Sequence, residues 1–317
     1  MKLSETYQRY ALGLAKARAG KAGRPGRRSA LLGRLARLGV KGWPERMTLR
    51  TGELPRGCVP CLKGRGSNVS LTTLCSRECF FCFNPLPRAD DLSVHGRAAG
   101  SIKEAGSILA RLAPASVGIS GGEPLLFPDR VLALAREIRK RLPRAWIDLY
   151  TNGDPLTRAM LEELKAAGVG SLRLNLAANG YDLAPVRLAL PSFPDLAVEI
   201  PVIPGHEARL RRMALGLASL GARHLILHEL FCSGPNEERL RKAGLLKGSA
   251  PVLPPGLTWA GVGSSSELCL RLLAWALKRK LELGLYYCST GTQQWIAENA
   301  LKSGNGGLGG RSRHGRA

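Results

Sequence analysis

Eight cysteines stand in this chain of 317 residues: Cys58, Cys61, Cys75, Cys79, Cys82, Cys232, Cys269 and Cys288. Three of them form Cys75-Ser-Arg-Glu-Cys79-Phe-Phe-Cys82, a C-x3-C-x2-C run directly after a β-rich stretch at residues 69–74. Glu5 lies where the apolar part of a secretory leader would begin, so metal binding reads better than a disulfide framework. Three thiolates in one tight loop suit three irons of a [4Fe–4S] cube and leave the fourth open to an exogenous ligand. Zinc is the alternative, although a closed zinc site takes four ligands, commonly from two paired knuckles. A second signal is Ser120-Gly121-Gly122-Glu123-Pro124. Its glycines admit close approach of a ligand to the backbone, and Glu123 offers an anionic acceptor for an ammonium group. Alone, such a run is an ordinary turn; one β–α–β step beyond a cysteine loop, it gains weight.

The elements that must position these residues follow from hydrophobic periodicity. Strands are expected at residues 69–74, 116–120, 146–150, 171–176, 198–203 and 224–228, alternating with helices at 101–112, 128–142, 156–167 and 208–220. In the 128–142 segment Val131, Leu134, Ala135, Ile138 and Leu142 recur at helical spacing. Repeated β–α alternation implies a parallel sheet, with chemistry at the C-terminal strand ends. A Pro/Gly-rich break at 247–256 precedes a strand at 257–262, a helix at 267–283, a strand at 284–288 and a helix near 293–301. Two short basic helices are expected to open the chain, the second capped by Ser29, and the Gly-rich tail from Ser303 is expected to be disordered.

The cysteine loop and the GGEP run, in this order, resemble the radical S-adenosylmethionine (SAM) superfamily over roughly residues 68–228. Cys58-Val-Pro-Cys61 and Tyr286-Tyr287-Cys288-Ser289 further resemble uncharacterised radical SAM proteins related to pyruvate formate-lyase activating enzyme. The resemblance implies an α/β fold, a partial (βα)6 TIM-like barrel. A basic N-terminal extension (1–66) would precede a radical SAM core (67–246), followed by a C-terminal extension (247–302) and a tail (303–317). It implies that Cys75, Cys79 and Cys82 ligate the cluster and that the open iron takes the amino and carboxylate groups of SAM. Phe81 would pack near the adenine, and Gly121, Gly122 and Glu123 would receive the methionine ammonium. Asn152 would face SAM or substrate, Asn175 the ribose or carboxylate, residues 202–205 the adenine, and His228 with Glu229 the adenine or substrate. It also implies a reductant such as flavodoxin or ferredoxin. Read without the resemblance, Asn152-Gly153 is a common turn, Asn175 a loop cap and His228 a buried structural histidine.

The remaining cysteines have two readings. Cys58, Cys61, Cys288 and Cys232 could form a second metal site, holding an iron–sulfur cluster or zinc, or they are free thiols. Cys232 could instead return a hydrogen atom to a substrate radical, by analogy with peptide epimerases of the superfamily. Cys269 lies on an apolar helical face and reads as core.

Composition sets the outer bounds. Hydrophobic residues at 44% and charged residues at 22% are ordinary for a globular chain and exclude wholesale disorder, collagen and coiled coil. Lys+Arg at 47 against Asp+Glu at 24 gives +23, of which residues 1–66 carry +13 and residues 302–317 carry +4. Such a charge favours an anionic partner. Aromatics at 5% argue against an extended stacking platform for nucleic acid. No run reads as a membrane span, and the chain reads as cytoplasmic. The expectation is a radical SAM enzyme that abstracts hydrogen from a peptide, protein or small molecule. The alternatives are an RNA-modifying radical SAM enzyme, favoured by the basic ends, and a non-enzymatic metal-containing nucleic-acid-binding protein.

Overall fold

The structure, a computed structural model, describes residues 27–42, 48–246 and 260–299. The first expected N-terminal helix, residues 257–259 of an expected strand and the Gly-rich tail lie outside the described residues. Nine strands form one sheet: β1 (Gly66–Thr72), β2 (Ser93–Val94), β3 (Arg97–Ala98), β4 (Ser116–Gly121), β5 (Trp146–Thr151), β6 (Ser171–Leu174), β7 (Ala197–Val202), β8 (His224–Glu229) and β11 (Gly284–Cys288). Its order is β11-β8-β7-β6-β5-β4-β1-β2-β3, parallel from β11 to β1, with β2 and β3 added antiparallel as a hairpin. Among the described strands β11 and β3 do not pair, so the sheet curves without closing. A separate ribbon joins β9 (Phe231–Cys232) to β10 (Ala260–Gly261).

The helices are α1 (Arg27–Arg37), α2 (Cys58–Cys61), α3 (Ile102–Leu112), α4 (Pro128–Arg141), α5 (Arg158–Ala166), α6 (Ala184–Ala189), α7 (Glu207–Ser219), α8 (Glu237–Lys242), α9 (Ser265–Arg279) and α10 (Thr290–Asn299). Local sequence sets several of their starts. The Ser101 hydroxyl accepts from Glu104 N at 3.1 Å while the Glu104 carboxylate accepts from Gly100 N at 2.8 Å, and Thr157 caps α5 in the same way. Pro128 opens α4, where its missing N–H costs nothing. Ser29, expected as a cap, lies inside α1. The β2–β3 hairpin and α6 were not foreseen, because two-residue strands and a six-residue helix carry too little periodicity.

Alternation along each strand divides the sheet into two faces. One face presents Val69, Leu71, Val117, Ile119, Ile147, Leu149, Leu172 and Leu174 to the helices, all fully buried. Each such aliphatic contributes about 1.5–3 kcal/mol of transfer free energy. The concave face instead carries Asp148, Tyr150, Arg173, Glu199 and His228. The outer edge of β11 is covered by residues 49–51: Tyr287 N donates to Leu49 O at 2.8 Å and Thr51 N to Leu285 O at 2.9 Å. No helix among the described residues is long and apolar enough to cross a membrane.

Candidate functional site

The cysteine loop leaves the C-terminal end of β1, where parallel α/β sheets gather their chemistry. Its backbone is held from three sides. Thr73 Oγ1 donates to Ala89 O at 2.9 Å and accepts from Ala89 N at 2.7 Å, and Arg88 Nη1 donates to Cys75 O at 3.2 Å. From α8, Arg239 Nη1 donates to Cys79 O at 3.1 Å and Nη2 to Cys82 O at 2.7 Å; Asn236 Nδ2 donates to Phe81 O at 3.1 Å. With the carbonyls so occupied, the Cys75, Cys79 and Cys82 thiols stand half-buried and unbridged. Burial, then the neighbouring Cys82 and Cys75, pushes the Cys79 thiol up to about 11, and burial also raises Cys75.

Three free, half-buried thiols in one short loop with a fixed backbone, beside cationic Arg88 and Arg77, are the donor set an iron–sulfur cube takes. Among the described residues no three His, Cys, Asp or Glu side chains converge closely enough to hold a single ion. A cube places its irons at separate corners and does not require such convergence.

The glycine run behaves differently from expectation. Gly121 takes φ +128, and a Cβ there would lie 2.1 Å from Thr72 O; at Gly122 it would lie 2.0 Å from Leu74 O. The room left by the missing side chains is therefore filled by the entry to the cysteine loop. Gly122 N donates to Thr72 O at 2.7 Å, Glu123 N to Leu74 O at 2.8 Å, and Asn84 Nδ2 to Gly121 O at 2.7 Å. Glu123 is fully buried, and its oxygens accept from Thr151 Oγ1 at 2.8 Å, Asn152 N at 2.7 Å and Leu125 N at 3.0 Å. The Glu123 carboxylate thus braces β4 against β5 through three donors, one fewer than the four that a carboxylate can accept. Burial raises its carboxyl, against those three donors.

Asn152 is likewise turned inward. Its Nδ2 donates to Ser76 Oγ at 2.9 Å and its Oδ1 accepts from Asp154 N at 2.9 Å, so it ties the end of β5 to the cysteine loop rather than facing a ligand. Asn175 Oδ1 accepts from Ala177 N at 3.2 Å, the loop-cap role. Phe81 packs in a cluster with Ile203, Leu230, Cys232, Leu240 and Val262. That places it beside the 202–205 stretch with which the adenine was expected to share it.

His228 lines the concave face, its Nε2 at 2.8 Å from Glu199 Oε1. Burial works to lower it, yet Cys288 and Glu199 hold it well above the ordinary 6.5; Glu199 is held low by His228 against its own burial. Arg173, fully buried, bridges Asp148 at 3.1 Å and Glu199 at 3.4 Å and donates to Cys58 Sγ at 3.5 Å. Cys58, Cys61 and Cys288 come together here around Tyr286. Burial pushes Cys58 up to about 12 despite Arg173, and Cys61 also rises. Cys232 does not join them: it packs on the Phe81 cluster, on the cysteine-loop side.

Sequence reasoning missed Arg239, Asn236, Arg173 and Asp148. Arg239 and Asn236 reach the loop from more than 150 residues away, and no local pattern signals that. Asp148 and Arg173 were visible only as charges interrupting apolar strands.

The chain matches the family described as "Radical SAM superfamily" over residues 69–187. It is 26% identical over 250 residues to a Methanocaldococcus jannaschii protein provisionally named a glycyl-radical enzyme activating enzyme, covering 74% of this chain and 63% of that one. It is 32% identical over 143 residues to a PqqA peptide cyclase of Ruegeria pomeroyi, covering 42% of this chain and 34% of that one. The chain thus spans less than two thirds of either relative's length. Among solved structures, methylornithine synthase is similar at 13% identity, covering 99% of this chain and 92% of that one with a TM-score of 0.47. The matched residues 69–187 take in the cysteine loop at the end of β1 and the glycine run of β4 packed against its entry, so it is this part of the chain that is similar to the radical SAM superfamily.

Proposed function

We propose that the chain is an enzyme whose Cys75, Cys79 and Cys82 hold a [4Fe–4S] cluster that, with SAM bound, acts on a protein or peptide by hydrogen abstraction. The observation that carries this reading is the joint fixation of the cysteine loop and the Gly121–Gly122 turn. Ser76, Asn152, Glu123 and Thr151 form one hydrogen-bonded chain from the loop to the ends of β4 and β5, and Asn84 separately ties the loop to Gly121 O. A cluster held by Cys75, Cys79 and Cys82 would pass one electron from an external reductant to bound SAM, the chemistry that splits SAM into methionine and a hydrogen-abstracting radical. The chain's own residues orient and shield. Arg239 and Arg88 hold the loop carbonyls and so fix the backbone that carries the three thiols, and the Phe81–Ile203–Val262 cluster keeps water from that side. The relatives' names, an activating enzyme and a peptide cyclase, support a protein or peptide as substrate.

The test is anaerobic reconstitution with iron and sulfide, then dithionite and SAM, with 5′-deoxyadenosine as readout. Product is expected from the native chain and none from Cys79→Ala. Absence of product from a chain with an intact cluster would sink the reading.

A further inference from the structure

A groove of about 460 Å³ runs between α1, α7 and α9, on the helical side of the sheet. It is lined by five cations, of which Arg34, Lys278 and Arg279 are exposed at its rim and Arg211 and Arg271 half-buried, and by the half-buried Leu31 and Trp275 and the buried Ala274, which form its apolar floor. The only carboxylate paired with these cations among the described residues is Glu207, which bridges Arg211 and Arg271. Arg211 lies over the Trp275 ring at 5.5 Å, and its buried Nε has no acceptor. Three of the five cations have an ordinary local explanation, since Lys278 and Arg279 complement the dipole at the end of α9 and Arg34 that at the end of α1. The dipoles do not explain why these three exposed side chains, from two different helices, line one groove.

We propose that this groove docks an acidic, amphipathic segment of the peptide or protein substrate, its carboxylates on the cationic rim and an apolar side chain on Leu31, Ala274 and Trp275. The proposal rests on the reading above for the substrate's class. The mixed lining decides between polyanions. A peptide with alternating acidic and apolar residues meets the cations with its carboxylates and Leu31 and Ala274 with aliphatic side chains, whereas a nucleic acid would find a single aromatic, Trp275, on which to stack a base.

The position of α9 adds a length requirement. Its first residue, Ser265, touches the strand ends: Ser265 Oγ donates to Val202 O at 2.7 Å and accepts from Leu230 N at 2.9 Å. Helical rise puts Arg271 about 9 Å and Arg279 about 21 Å along the helix from Ser265. An extended chain covers that span in roughly three to six residues. The reacting residue is therefore separated from the docked segment by at least that many positions.

The experiment uses the full chain and a fluorescein-labelled peptide of alternating Glu and Leu, with a Lys-for-Glu counterpart and a short oligo(U) RNA as comparison probes. The acidic peptide is expected to bind, to weaken with salt, and to lose about ten-fold in affinity in the triple variant Arg34→Glu, Lys278→Glu, Arg279→Glu. All three side chains are exposed, so the fold tolerates the change, and 5′-deoxyadenosine formation without substrate is expected to be retained. Retained product with unchanged peptide binding overturns the groove alone; lost product in the native chain overturns the enzymatic reading instead. Oligo(U) binding that is sensitive to the triple variant, without peptide binding, assigns the groove to nucleic acid and overturns the proposal.

Discussion

Arg239 Nη2 lies 2.7 Å from the carbonyl oxygen of Cys82, 157 residues earlier in the chain. The same guanidinium reaches Cys79 O and Pro235 O, so α8 and the cysteine loop share one fork of donors. Arg239→Ala removes three charge-assisted bonds and is expected to cost about 3 kcal/mol and to lower iron retained after reconstitution. Arg239→Lys is expected to restore only part of both, because an ammonium is not a planar fork. Iron per chain and a denaturant melt, measured on both variants, check this; equal iron in all three proteins contradicts it.

Glu123 offers a sharper contrast. If its oxygens serve Thr151, Asn152 and Leu125, then Glu123→Ala strands three buried donors and is expected to cost about 3 kcal/mol or more, and Glu123→Gln less. Stability falls before SAM affinity does. A Glu123→Gln protein with native stability but weakened SAM binding would support the ammonium-acceptor role.

The His228–Glu199 pair predicts opposite pH limits for its two members. His228 is raised above 6.5, so its contribution is fully present below pH 6.5 and is lost as pH rises through the elevated value. Glu199 is lowered from 4.5, so its contribution is present above pH 4.5 and is lost as pH falls through the depressed value. His228→Gln is expected to flatten the alkaline limb of the stability profile and to weaken the acid limb, where Arg173 alone is left to hold Glu199 low, as followed by urea melts across pH. An unchanged alkaline limb would show that His228 is neutral.

Cys58 already has a partner in Arg173, and Cys288 one in His228. Reconstituted protein is accordingly expected to hold about four irons per chain, unchanged in Cys58→Ala and absent in Cys79→Ala. Iron near eight that halves in Cys58→Ala would establish a second cluster at Cys58, Cys61 and Cys288.

Much of this architecture was legible because local signals and long-range packing agree. The run of Val131, Leu134, Ala135 and Ile138 forms a buried helical stripe, and residues 284–288 form a strand because Leu285 and Tyr287 face the core while Gly284 leaves room for the backbone of Gly52 and Glu53 beside it. The cysteine loop was legible from spacing alone. The glycine run was located correctly, but nothing local reveals that Thr72 O and Leu74 O occupy the space beside Gly121 and Gly122. Glu123 and Asn152 look like ligand contacts in a one-dimensional reading because polar residues at strand ends often are. Whether such groups are saturated depends on partners such as Thr151 and Ser76, which only the folded chain supplies. Cys232 was grouped with Cys58 by residue type, but the β9–β10 ribbon carries it to the other side.

The covered edge of β11 has a practical bearing on how the chain can be divided. The family match ends at residue 187, yet a fragment trimmed to that boundary would lose β7, β8 and β11 and lay bare the side of β6, an unpaired ladder of amides flanked by Leu172 and Leu174. Such an edge recruits other copies of itself and precipitates. Because Leu49 and Thr51 finish the opposite margin, a soluble expression fragment has to begin upstream of residue 48 and run through Cys288, so that both ends of the polypeptide are stitched into the same hydrogen-bonded seam.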